Sequence, residues 1–180
     1  MFLLCKSLLA SFSLINYRLL AFLFKLYVLP ILTYGLPFFF PRTFESISNL
    51  EKVQRIFTNI ILRRKFTVAD YKTRLAILDL QPSELIFLKY SLLYLFKIVN
   101  FSHPLKHLHP KSSFGSVRNA TIKFQTPALK SNFRKFLFPV NLISVWNTLP
   151  PSLLVSPSVS RFRQDLEHVD LSRFLKGHTC

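Results

Sequence analysis

Between Thr43 and about Leu62 the apolar residues recur at helical intervals. Ile47, Leu50, Val53, Phe57 and Ile60 share one face, widened by Ile56 and Ile61, while Lys52, Gln54, Arg55 and Asn59 take the other. Thr43 is placed to cap this helix. Glu45 suits the positive end of its dipole, and Arg63, Arg64 and Lys65 suit the negative end. A short helix is predicted over 70–78, with Leu75, Ile77 and Leu78 as its contacts. Pro82 then stands at the start of a longer helix, Glu84 to about Val99, which is apolar nearly all round and therefore expected at the centre of a core.

Residues 101–120 are dominated by His, Pro, Ser and Lys and read as a loop or linker. A brief alternation at Ile122–Phe124 predicts a short strand. Helix resumes over 138–147 until Pro150 and Pro151 stop it. A last helix is expected with Ser156 as N-cap and Pro157 in its first turn, burying Val159, Phe162 and Leu166. The pattern as a whole predicts a mainly α protein: a helical bundle over 1–100, a linker over 101–120, and a looser basic region over 121–180 with a short strand and C-terminal helices.

The apolar N-terminus admits two readings. A spanning helix wants about 20 apolar residues without a central charge. The stretch Leu19–Phe40 is instead interrupted by Lys25, Thr33 and Gly35, and Pro30 and Pro37 are expected to break its helical hydrogen bonding. The start MFLLCKSLL has no basic n-region and no small-x-small cleavage site, so a signal peptide is not expected. A buried helix is preferred, with a membrane anchor over 1–40 as the alternative.

Composition sharpens this picture. Half the residues are hydrophobic and 20 are Phe, enough to build a core, while only 3 Gly disfavour a hairpin-rich sheet. Lys and Arg number 24 against 8 acids, a net charge of +16, which implies a polyanion, nucleic acid or an anionic membrane surface, with a basic protein that has no polyanion partner as the alternative. Two cysteines at opposite ends, Cys5 and Cys180, make neither a disulfide framework nor a zinc site and fit a reducing, intracellular setting, nuclear or cytoplasmic.

Residues that could carry chemistry are few. No two acids form an adjacent Asp-Asp pair, and Asp165, Glu167 and Asp170 read as a solvated helix end. His103, His107 and His109 lie among prolines in a stretch read as an exposed loop. Gly35, Gly115 and Gly177 are too far apart for a phosphate loop. No catalytic residue, metal or cofactor is expected. The cations carry more. Lys52, Arg55, Arg63, Arg64, Lys65, Lys72 and Arg74 form one concentration. Lys123, Lys130, Arg134 and Lys135 form a second, interleaved with Phe124, Phe133 and Phe136. Phosphate contact is expected of the cations, and a core role of the phenylalanines.

The order of segments resembles one family. Leu23–Gly35 is similar to the "LFKTYVRPILEYG" stretch of LINE-type (non-LTR) retrotransposon reverse transcriptases, and Leu50–Thr58 to its "IEKVQRRFT". Tyr71–Leu80 resembles its "Y-x-x-RL-x-x-L-x-L", and Leu92–Asn100 its "DLI-x-x-YKI-x-N". Val145–Pro150 and Ser156–Phe162 look like its "xWNSLP" and "APSVNSFK". The likeness spans residues 5–175. It assigns framework roles to Tyr27, Pro30, Tyr34, Gly35, Trp146, Asn147, Leu149, Pro150 and Phe162.

In that family these segments form the helical thumb and the region beyond it. The resemblance therefore implies contacts to RNA, DNA or an RNA–DNA hybrid, and a polymerase palm as partner. The family's metal-binding aspartates would lie N-terminal to Met1, so a noncatalytic, truncated fragment is implied. Where the family carries charge, this chain has Leu29, Thr33, Ile86, Phe87 and Asn141, which points to a decayed copy. Two other readings stand beside this one: a small basic membrane protein anchored by residues 1–40, and a reading frame without a stable product.

Overall fold

A computed structural model describes residues 16–34, 44–63, 70–100, 112–113, 123–124 and 140–175. Helix accounts for 80% of them, so the chain is mainly α. It divides into two compact units. The first takes in residues up to 36, 41–86 and 176–180; the second takes in 37–40 and 87–175.

The first unit opens with α1 (Tyr17–Leu23), capped by the Asn16 side chain, which accepts from the Arg18 N–H. A π-helical segment, Phe24–Val28, follows and leads into α2 (Leu29–Thr33), so the helix runs on through Pro30. The sequence reading expected a break there. An α-helical proline ring clashes with the carbonyl four residues earlier, and the widened turn just before Pro30 opens that spacing. The same turn serves the core. Leu20, Phe24, Val28 and Leu32 repeat every four residues and are all buried. On a regular helix such a repeat drifts about 40° per step. The wider turn brings the four residues back onto one side. The opposite side, with Phe22, Leu26, Tyr27, Ile31 and Tyr34, is exposed.

Helix α3 (Phe44–Arg63) packs on α1, with Phe24 stacked on Phe57 at 4.4 Å between ring centres. Its buried positions are Ile47, Val53, Phe57, Ile61 and Leu62, joined by the polar Glu51, Gln54 and Thr58. Two expectations fail here. Gln54, assigned to the polar face, is 0% exposed, and Ile56 and Ile60, assigned to the core, are each 38% exposed. One wheel cannot describe a helix that is contacted from more than one side. The expected cap Thr43 lies outside the described residues.

Helix α4 (Tyr71–Ile77) packs on α3 and ends in a Schellman motif. The Leu80 N–H donates to the Leu75 carbonyl at 2.9 Å and the Asp79 N–H to that of Ala76 at 3.2 Å. Asp79 occupies the left-handed position, φ 50°, where glycine is usual. Helix α5 (Ser83–Asn100) begins in this unit.

In the second unit α5 buries Phe87, Leu88, Leu92, Leu95, Phe96 and Ile98, the central role expected of it. Within the expected linker, Ser112–Ser113 form a strand, β1, antiparallel to β2 (Lys123–Phe124). A 3-10 turn at Val140–Leu142 leads into α6 (Ile143–Thr148). Pro150 and Pro151 both end α6 and start α7 (Pro151–Leu154). The last helix, α8 (Val159–Glu167), starts two residues later than expected. Ser158 is its cap, accepting from the Arg161 N–H at 3.1 Å, whereas the Ser156 hydroxyl donates to the Leu153 carbonyl and closes α7. Phe162 and Leu166 are buried, but Val159 is only half-buried.

Candidate nucleic-acid interface

The first unit holds a polar hub that the linear pattern concealed. Glu51 is 5% exposed, and both its carboxylate oxygens are used. One accepts from the Tyr71 hydroxyl, and the other accepts from the Ser83 backbone N–H at 3.0 Å. That N–H belongs to the first turn of α5, where the helix supplies no internal acceptor, so Glu51 caps α5 from a distance in sequence. One turn along α3, Gln54 accepts from the Ser83 hydroxyl and donates to the Gln81 carbonyl at 2.9 Å.

Cations surround this hub. The Arg55 guanidinium lies over the Tyr71 ring at 4.6 Å from its centre, and that of Arg74 lies at 5.6 Å. Both are within reach of the ring quadrupole. Lys52, Arg55 and Lys72 are exposed, and Arg74 is half-buried. Burial of Tyr71 raises its ionisation well above the ordinary tyrosine range. The negative Glu51 and the hydrogen bond to it raise it further, while Arg55 and Arg74 pull the other way. Tyr71 is therefore a neutral, anchored ring carrying positive groups.

Of the first expected cationic cluster, Arg55 and Arg74 meet at the Tyr71 ring, while Lys52 and Lys72 are exposed on α3 and α4. Arg63 ends α3, but its side chain lies outside the described residues, as do Arg64 and Lys65. The second cluster is represented by the exposed Lys123 alone; Lys130, Arg134 and Lys135 fall outside the described residues. Its phenylalanine neighbour Phe124 is core, 5.6 Å from Trp146 between ring centres.

The family-like residues in the second unit serve packing. Trp146 and Phe162 are 0% exposed, their rings 6.3 Å apart, and Phe162 stacks on Phe96 at 4.1 Å. Asn147 fastens β2 in both directions, donating to the Phe124 carbonyl at 2.9 Å and accepting from its N–H at 3.0 Å. Leu149 is buried, and Pro150 caps α7. In the first unit, by contrast, Tyr27, Pro30 and Tyr34 are exposed, and Gly35 lies outside the described residues.

The C-terminal acids have separate partners. Asp165 pairs with Arg161 at 3.2 Å, Glu167 with Lys89, and Asp170 accepts from the Ser172 N–H at 2.9 Å. Among the described residues no three His, Cys, Asp or Glu side chains group to hold a metal ion; His103, His107 and His109 lie outside them. An open cavity of about 420 Å³ in the second unit, bounded by Pro150, Leu153, Val155 and Pro157, has this same Arg161–Asp165 pair on its wall. Also among the described residues, no helix is long and apolar enough to cross a membrane.

Glu51, Gln54 and Ser83 are the members of the site that sequence reasoning missed. The available signal was the spacing of Glu51 and Gln54, three residues apart and so on one face of α3. Comparison with protein-family models, curated proteins and solved structures finds no match.

Proposed function

We propose that this chain is a noncatalytic, nucleic-acid-binding helical region of the kind found in the thumb and post-thumb of LINE-type reverse transcriptases. On this reading it grips the sugar–phosphate backbone of RNA, DNA or an RNA–DNA hybrid without reading sequence. The observation that carries the reading is the exposed Arg55 held over an anchored Tyr71, with Lys52 and Lys72 exposed nearby, in a chain of net charge +16. Such a surface neutralises phosphates and releases condensed counterions, a driving force that needs no base contact. Two of the resembling segments meet in one cluster. Glu51 and Arg55 come from the first, Tyr71 and Arg74 from the second.

The test is fluorescence anisotropy of the full chain with labelled RNA, single-stranded DNA and an RNA–DNA hybrid across a salt series. Log affinity should fall linearly with log salt, with a slope of about −0.7 to −0.9 per phosphate neutralised. The same protein should not extend a primer. Absence of binding at low salt, or binding that ignores salt, would overturn the proposal.

A further inference from the structure

We infer that Arg55 makes the principal phosphodiester contact of this surface and that Tyr71 is its positioning residue. The inference rests on the nucleic-acid reading above and names the chemical group taken: a backbone phosphate diester.

An arginine free in solvent samples many rotamers and must surrender them on binding, which weakens the contact. Arg55 is exposed, yet its guanidinium is held 4.6 Å from the centre of the Tyr71 ring. A guanidinium held over a ring face keeps its in-plane N–H groups, which can fork onto two oxygens of one phosphate. The mount is itself fixed. The Tyr71 hydroxyl donates to Glu51, and the other Glu51 oxygen holds the Ser83 N–H at the start of α5. Arg74 lies 5.6 Å from the same ring centre. Lys52 lies one helical turn before Arg55, and Lys72 is next to Tyr71 in α4. Both are exposed. A lysine in place of Arg55 would keep the charge but lose the planar fork and the ring-guided placement.

The experiment measures affinity of the full chain for a labelled RNA–DNA hybrid over a salt series, for the wild type, R55K, R55A, Y71F, Y71L and the double variant Y71L/R55A. R55A should weaken binding by roughly tenfold at low salt and lower the salt slope by about one. R55K should bind several-fold more weakly than wild type with the slope unchanged. Y71F keeps the ring but loses the hydroxyl's bond to Glu51, and should fall between wild type and Y71L. Y71L should cost several-fold in the wild-type background and nothing further in the R55A background, because its effect passes through Arg55.

Equal losses from Y71L in both backgrounds would overturn the inference. If Y71L fails to fold by circular dichroism, R55K decides alone: the substitution is at an exposed position, and wild-type affinity for it would overturn the inference. A wild type that binds with steep salt dependence alongside an unaffected R55K refutes this inference and leaves the proposed function standing. A wild type that does not bind refutes both.

Discussion

Replacing Glu51 by Ala should be among the most damaging single changes in the first unit, and replacing it by Gln among the mildest. The carboxylate has two clients, the half-buried Tyr71 hydroxyl and the buried Ser83 N–H. Ser83 is 1% exposed, so alanine leaves its N–H without water to replace the lost acceptor. An unsatisfied buried group costs about 1–3 kcal/mol. With two clients affected, E51A should lose about 3 kcal/mol. Glutamine has one oxygen, and the Ser83 N–H needs it, because a backbone N–H can only donate. Tyr71 can instead rotate its hydroxyl and accept from the new amide. E51Q should therefore lose about 1 kcal/mol or less. Urea unfolding of the full chain measures both. For a small protein the slope is about 1–3 kcal/mol per molar urea, so E51A should lower the midpoint by about 1–3 M and E51Q by a fraction of that. An E51A loss under about 1 kcal/mol, or an E51Q loss equal to it, would refute the capping role assigned to this carboxylate.

Three further outcomes follow from the geometry. Tyr71 holds its proton above the pH at which an unfolded tyrosine loses it, so its contribution is full below about pH 10 and is lost as pH rises beyond that. Relative to Y71F, wild-type stability should decline by about 1.4 kcal/mol per pH unit in that window, and parallel stability curves would contradict it. D79G should stabilise the chain by about 0.5 kcal/mol, because relief of a left-handed aspartate outweighs the exposed Lys25–Asp79 pair at 2.8 Å. D79A should destabilise it, and thermal melts that rank the two the other way would be inconsistent with the Schellman end of α4. N147A should cost about 2 kcal/mol, since it removes both hydrogen bonds that hold Phe124. Near-UV circular dichroism of Trp146 should change with it, and an unaltered spectrum and melt would refute the fastening role of Asn147.

Much of the architecture was written in local pattern. The spacing of apolar residues located α3, since a helix that must bury one stripe advertises its period in sequence. The apolar circumference of α5 announced its central burial, and Lys123–Phe124 was legible as a strand from two or three alternating residues. The cationic excess required only counting, and Lys52, Arg55 and Lys72 are exposed. These are properties each segment carries alone.

What only tertiary structure decided is how partners distant in sequence divide the polar residues among themselves. Gln54 sits at a position that a wheel assigns to solvent, and it is buried because the Ser83 hydroxyl and Gln81 carbonyl come to meet it. Ser158 rather than Ser156 caps α8 because the Ser156 hydroxyl is already committed to the end of α7. Asp79 stands in a conformation suited to glycine because the Schellman turn brings Leu80 back onto Leu75. The helix passes Pro30 because a π turn also aligns Leu20, Phe24, Val28 and Leu32 for burial. Local sequence states what each residue can bond. Which bond it makes depends on long-range packing, because a buried polar group takes whichever partner the fold delivers in place of water.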